Sequence, residues 1–391
     1  MFKIQKLNKI SHYGVERFPS DTYEHATDLA NPDAILVRSA DMLTMELPES
    51  VKAIARAGAG VNNIPIDRCS QKGIVVFNTP GANANAVKEL VLLSLLISSR
   101  RVYDGISWTK SLAGKGDEVP KLIEKEKSNY VGPEIKGKKL GVIGLGAIGA
   151  MVANDALALG MEVMGFDPFI SVDAAWGLSR EVKKSISIDS LLSEADYISL
   201  HIPMNDKTKG LFNKDKFALM KKGIRIMNFA RGGLVNNADL KEAIQQGIVA
   251  CYVTDFPDDE LVKMDKVIPI PHLGASTPES EDNCAVMAVD QLKEFLEKGN
   301  IINSVNFPEC ILYPSAKYRI LIANKNIPTI IGQITSVLAE NKINIADMLN
   351  KSKGEYAYNI IDVDNVIDDK ILSHLRKIEG IVMVRAIETN S

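Results

Sequence analysis

Three side chains in the second half of the chain have the types and order needed to hold an acid and move a proton: Arg231, Glu260 and His272. Arg231 stands in Asn228-Phe229-Ala230-Arg231-Gly232-Gly233, directly after an apolar run of strand type. Open α/β sheets place their sites at the carboxyl ends of strands, and a guanidinium there suits bidentate capture of a carboxylate. The paired glycines let a ligand come close to the backbone. His272 lies in Pro269-Ile270-Pro271-His272-Leu273-Gly274, downstream of an acidic segment running from Asp255 to Glu260. An imidazole held by a carboxylate can relay a proton to or from a hydroxyl near neutral pH. Taken singly, an Arg after a strand is more often a surface ion pair, and a His beside a proline is usually structural. The acidic cluster Asp258–Asp259–Glu260 taken alone is an ordinary solvated loop. The order of the whole set points to chemistry.

The strongest local signal precedes that set: Gly144-Leu145-Gly146-Ala147-Ile148-Gly149, which follows the run KKLGVI and opens a helical stretch. A second strand-like run ends at Asp167, 18 residues after Gly149. The glycines permit a tight turn and close approach of a pyrophosphate, and Ala147 and Ile148 begin a helix whose free N–H groups face the phosphates. Asp167 can accept hydrogen bonds from the ribose hydroxyls and would repel a 2′-phosphate, so NAD is expected rather than NADP.

The elements that position these groups are legible as alternation. The chain has 391 residues, enough for two or three domains, with 46% hydrophobic and 24% charged residues. Short β-branched runs at 34–37, 74–77, 140–143, 163–166, 197–200, 224–228 and 249–253 alternate with stretches of helical period. Continuous apolar strands separated by helices predict parallel sheets covered on both faces, hence α/β doubly wound domains. Residues 83–101 read as a long apolar helix, buried or at a subunit contact. Residues 110–139 form a lysine-rich polar excursion, and Pro308 and Pro314 suggest a linker over 303–314. From Lys317 the pattern is βαββαβ, a small ferredoxin-like domain.

Composition closes several other routes. The 46 Lys and Arg against 49 Asp and Glu leave a net charge of −3, which argues against nucleic acid as a partner. No apolar run reaches the ~18 residues of a membrane span, and residues 90–97, the longest, are flanked by charges. The N-terminus has no apolar stretch of signal type, and the four cysteines form no CxxC, so a cytoplasmic chain without a disulfide scaffold or zinc ribbon is expected. No metal is called for.

The ordered motifs resemble the D-2-hydroxyacid dehydrogenase family. The likeness runs over RSADMLT (residues 38–44), RAGAGVNNI (56–64), NTPGANANAVKEL (78–90), GVIGLGAIG, LHIP (200–203), NFARGG, the 255–260 segment and PHLGAST (271–277). It implies a discontinuous flavodoxin-like substrate domain (1–93 and 277–308), a Rossmann NAD domain (94–276) and a regulatory ACT domain (316–391). It implies that Arg231 holds the carboxylate and carbonyl oxygen of a 2-hydroxy acid, that His272 is the general acid/base and that Glu260 orients it. The family's Asp-x-Phe-x-x-Glu-Pro reads Asp255-Phe256-Pro257-Asp258-Asp259-Glu260-Leu261 here. Aligning on the phenylalanine would move the acidic role to Asp259, whereas Glu260 keeps Asp255 at the position that meets the nicotinamide amide. Further NAD contacts are implied for His201, Pro203, Thr208, Ala230 and Gly274.

The same resemblance places the substrate carboxylate at the backbone of Ala59, Gly60 and Val61, with Asn62 nearby. In the branch acting on phosphorylated acids, Arg38 with Ser39, and a basic position near Lys127, meet the phosphate. The implied substrate is 3-phosphoglycerate, oxidised to 3-phosphohydroxypyruvate at the start of serine synthesis, by a homodimer or homotetramer. In serine-sensitive relatives two asparagines and a histidine of the ACT domain grip the effector. Here Asn326 and Asn344 hold the asparagine positions, Asn324 replaces the histidine, and the usual Pro-Gly reads Pro328-Thr329. A glyoxylate/hydroxypyruvate or D-lactate reductase, and a non-catalytic NAD-sensing corepressor, fit the same core motifs.

Overall fold

The computed structural model describes residues 1–389 and divides them into two compact units, 1–83 with 278 onward, and 84–277. In the first unit a parallel sheet of β1 (Phe2–Lys6), β2 (Tyr23–Ala26), β3 (Ala34–Val37), β4 (Ala53–Arg56) and β5 (Val75–Phe77) runs in the order β2-β1-β3-β4-β5. This is the flavodoxin-like arrangement. All four residues of β3 are buried, as expected of a strand covered on both faces.

The second unit holds seven parallel strands: β6 (Lys139–Ile143), β7 (Glu162–Phe166), β8 (Lys183–Lys184), β9 (Tyr197–Leu200), β10 (Ile224–Asn228), β11 (Val249–Thr254) and β12 (Val267–Pro269). Their order is β12-β11-β10-β9-β6-β7-β8, so the strand order reverses between β6 and β9, where doubly wound sheets open their crevice. The helix Ala84–Ser99 lies whole in this unit, because Val87, Val91 and Leu95 pack into its core with Leu140, Val142 and Met227. The compact unit thus begins at residue 84. The lysine-rich excursion folds as short helical turns, Gly116–Glu118, Val119–Glu126 and Lys127–Tyr130, none of which buries a residue.

The C-terminal part has the expected βαββαβ order: β13 (Tyr318–Lys325), the helix Ile330–Glu340, β14 (Ile345–Lys353), β15 (Tyr356–Val363), the helix Asp369–Arg376 and β16 (Ile381–Glu388). The sheet is antiparallel in the order β14-β15-β13-β16. Alternate residues of β13 serve two cores. Ile320 and Ile322 pack with Ile334, Leu338 and Leu375 of the two helices, while Leu321 and Ala323 join Phe295, Phe307 and Phe77 of the first unit.

The long helix Pro278–Lys298 is held at its end by this sheet. Arg319, fully buried, pairs with the equally buried Asp362 at 2.6 Å and donates to the Lys298 carbonyl at 2.7 Å. Arg385 donates to the Phe295 and Leu296 carbonyls. Cations here satisfy orphan carbonyls and meet the negative end of the helix dipole.

The linker expected over 303–314 is instead built into the first unit. Asn306 hydrogen-bonds Val76 N and the Ile74 carbonyl, and Phe307 and Cys310 are fully buried. The prolines mark a break in regular structure, not a solvated tether. Among the described residues no helix is long and apolar enough to cross a membrane.

Candidate active site

The Gly-rich turn has the conformation its glycines allow. Gly144 lies at φ 91°, where a side chain is strained, and a Cβ there would meet the His201 carbonyl at 2.5 Å. A Cβ at Gly149 would fall 1.9 Å from the Gly144 carbonyl oxygen. Gly146 differs, with nothing within 4 Å of a built Cβ, so the turn leaves room on its outer side. The helix Ala147–Ala158 then starts at Gly146 with no side-chain cap, leaving its first N–H groups for an anion.

Asp167, at the end of β7, is latched to that turn. Its two carboxylate oxygens accept the Leu145 and Phe169 N–H groups, each at 2.8 Å, and keep further acceptor capacity for hydroxyls. His201, just past β9, sits 2.8 Å from Ser199 Oγ, and burial pushes its pKa down to about 4, so the ring is neutral at pH 7. Thr208 Oγ1 donates to the Pro203 carbonyl at 2.6 Å and accepts from Asn205 N at 2.8 Å, closing the 203–208 loop on itself.

Beyond β10, the exposed Arg231 is positioned through its backbone by Asn228, which is almost fully buried. Asn228 Nδ2 donates to the Arg231 carbonyl and to Tyr252 Oη, both at 3.0 Å, and its Oδ1 accepts the Ala230 N–H at 3.2 Å. The Arg231 side chain folds back to donate to the Ala230 carbonyl at 2.7 Å. Asn228 and Tyr252 had no role read from the sequence. The only available signal was that a buried amide at a strand's end must find partners.

Asp255, at the end of β11, is 2% exposed. Its Oδ2 accepts the Gly274 N–H at 3.0 Å, whereas its Oδ1 is buried with no hydrogen-bond partner. Burial raises the Asp255 pKa; the Gly274 N–H and the nearby His272 and Arg231 charges oppose that rise. Arg231, Asp255 and His272 therefore share one electrostatic neighbourhood. His272 is exposed, and its ring rests on Phe256 with centroids 4.6 Å apart.

The structure does not join Glu260 to His272. Glu260 is exposed at the head of the short turn Leu261–Lys263, and its side chain lines a cavity of about 400 Å³ with Asp258, Asn237 and Phe256. Asp258 ties that turn down by accepting the Glu260 and Leu261 N–H groups. Asp259 points to solvent, paired with Lys263 at 2.5 Å.

In the first unit, Asn8 Oδ1 accepts three successive N–H groups, of Arg38, Ser39 and Ala40, at 2.9 to 3.1 Å. Arg38 reaches Glu281, on the first turns of the long helix, at 2.5 Å. Asn78 Nδ2 donates to the Ala59 carbonyl at 2.7 Å, pinning the loop that carries Gly60, Val61 and Asn62.

Two groups of expected residues do not assemble. Lys127 pairs with Glu124 at 2.5 Å and lines a cavity of about 940 Å³ with Arg100, Arg101 and Tyr130, which includes neither Arg231, Asp255 nor His272. The excursion folds on itself, so its lysines go with it. The three asparagines of the C-terminal sheet are also apart. Asn324 is buried and bonded to Asn359 at 2.7 Å, Asn326 reaches Gly354 at the β14–β15 turn, and Asn344 pairs with Asp364 at the other end of that hairpin. Within one copy they form no common grip.

Residues 93–274 match the model described as D-isomer specific 2-hydroxyacid dehydrogenase, NAD binding domain. The chain is 33% identical over 333 residues to the D-3-phosphoglycerate dehydrogenase of Methanocaldococcus jannaschii, covering 82% of this chain and 60% of that protein. Its likeness to the Bacillus subtilis enzyme of the same name is 34% over 326 residues, covering 79% and 59%. The chain thus spans about three fifths of the length of these relatives. Among solved structures, an NAD+-bound 3-phosphoglycerate dehydrogenase of Entamoeba histolytica superposes with a TM-score of 0.60 at 26% identity, over 78% of this chain and 98% of that one. A D-mandelate dehydrogenase of Rhodotorula graminis, 22% identical with a TM-score of 0.64 over 79% and 98%, shares the fold. The uncapped helix after Gly146, the latched Asp167 and the unpartnered Asp255 Oδ1 all suit the cofactor named in that description, and residues 93–274 are similar to the NAD-binding domain of D-isomer specific 2-hydroxyacid dehydrogenases.

Proposed function

We propose that the chain oxidises D-3-phosphoglycerate to 3-phosphohydroxypyruvate with NAD. The observation that carries this reading is the clustering of Arg231, Asp255 and His272 in the same parallel-sheet unit that carries the dinucleotide turn after β6. The relatives of 33–34% identity support it with their substrate.

In this reading the Arg231 guanidinium holds the substrate carboxylate and the C2 oxygen, stabilising the carbonyl as it forms. His272 takes the C2 hydroxyl proton and keeps it near the reacting centre. Asp255 keeps its free oxygen for the cofactor amide. NAD, when bound, supplies the two-electron acceptor for the C2 hydride. Asn8 and Asn78 fix the Arg38 and Ala59–Asn62 loops of the first unit.

The test is NADH absorbance with phosphoglycerate, set against lactate, and NADH consumption with glyoxylate. A kcat/KM at least 100-fold higher for phosphoglycerate supports the reading. Preference for an unphosphorylated acid makes the chain a reductase of the same family, and no turnover with any of them leaves only a binding role.

A further inference from the structure

A second cluster of positive charge contains none of the residues assigned to the reaction above. The first unit contains a cavity of about 490 Å³ between the segments that lead into β4 and β5 and the outer strand β16. Four cations line it: Lys52, Lys72, Arg376 and Arg385. Its one acid, Glu49, makes no ion pair among the described residues.

The partners of these cations are mostly neutral. Lys72 Nζ donates to the Leu47 carbonyl at 3.1 Å, and Arg376 Nη2 lies 3.5 Å from the Val384 carbonyl. The Arg385 guanidinium faces the helix-end carbonyls of Phe295 and Leu296, and its Nε is buried without an acceptor. Only Lys52 has a carboxylate, Asp33, and Asp33 also accepts the Lys3 N–H at 2.8 Å. Three positive charges thus share one cavity with no counter-charge paired to them. Like charges held together in a partly enclosed space are costly unless an anion joins them.

The walls are firm. Gly73 lies at φ 71°, and a Cβ there would fall 2.6 Å from Met383 Cβ on β16. The strand β16 is the last in its sheet, so one of its edges has no strand to pair with its backbone groups. Cations converging from three chain segments suit a compact anion with acceptors pointing several ways, which describes a phosphate better than a planar carboxylate.

We infer that this cavity binds a small phosphate-type dianion, as free phosphate or as the phosphate of an ester, independently of the reaction proposed above. Because its lining comes both from the α/β part of the first unit and from the βαββαβ part, occupancy ties the two together.

The experiment is calorimetric titration of the full chain with inorganic phosphate at constant ionic strength, in the parent, in Arg38→Gln and in the double variant Lys72→Gln/Arg376→Gln. Saturable binding is expected to survive Arg38→Gln and to weaken at least 10-fold in the double variant. Lys72→Arg/Arg376→Lys, which keeps the charge, should restore it to within about threefold, and NADH turnover should stay within twofold throughout the 72/376 series. Glycerol 2-phosphate binding as well as phosphate identifies an ester site, and phosphate alone a free-anion site. The inference is overturned if no saturable binding is seen, if Arg38→Gln abolishes it, if the charge-keeping pair fails to restore it, or if malonate binds more tightly than phosphate.

Discussion

Asp255 gives one carboxylate oxygen to the Gly274 N–H at 3.0 Å and keeps the other buried without a partner. A carboxylate left half-satisfied in the interior costs stability, and the structure retains it beside Arg231 and His272. Burial raises its pKa, so folding disfavours the ionised form. The stability this group contributes is present below the ordinary carboxylate pKa and is lost as pH rises through the raised value. Asp255→Asn keeps the acceptor for Gly274 and removes the charge. It is expected to melt above the parent at about pH 8, with the gap closing towards about pH 4, while kcat/KM falls about 10-fold or more. A variant that is both less stable and fully active contradicts this placement.

His272→Ala should lower kcat by about 10²–10⁴-fold, the usual contribution of a positioned acid/base, with the NADH dissociation constant within about threefold of the parent. Fluorescence titration separates the two effects. Full turnover in this variant removes His272 from the chemistry.

Arg38 and Glu281 form an ion pair whose side chains are both 43% exposed, so its stability contribution is about 0–1 kcal/mol. The same carboxylate competes with any anion for the guanidinium. Glu281→Gln should leave the melting temperature within about 2 °C and lower KM for phosphoglycerate a few-fold; Arg38→Ala should raise that KM about 10-fold or more. Steady-state kinetics at two ionic strengths decide the point, and an unchanged KM in both variants would falsify it.

Asp167 both braces the Gly-rich turn and stands where a 2′-phosphate would lie. Asp167→Ser is expected to weaken NAD about 10-fold or more and to narrow the preference for NAD over NADP. Unaltered selectivity would place the ribose elsewhere.

The buried Arg319–Asp362 pair carries the largest expected stability effect. Asp362→Ala leaves a guanidinium buried beside the Lys298 carbonyl and should cost about 3–5 kcal/mol by urea denaturation. Replacing both partners by leucine should cost less than the single change.

How far the sequence could be read depends on the range of the forces involved. The parallel strands were visible because a strand covered on both faces must be apolar throughout, as Ala34–Val37 and Val75–Phe77 are. The nucleotide turn was visible because its glycines answer to local backbone geometry. Asn228 and Asn8 were not, since their roles arise from loops folding onto a single amide. The buried character of residues 303–314 was hidden for a related reason: Asn306 finds its partners in β5, some 230 residues earlier. The lysines of the excursion had the right charge, but charge alone does not say which way a segment folds.

The first unit has one further consequence, in the order in which the chain is made. Residues 84–277 are contiguous and can fold as soon as they emerge, whereas the apolar strands β1 to β5 need Phe295, Phe307, Leu321 and Tyr358 to complete their core. At about 5–20 residues per second, those partners follow β5 by about 10–60 s. Strands made before the contiguous unit are therefore finished after it, and ribosome-bound chains halted near residue 277 should lose residues 1–83 to protease while the following unit resists it.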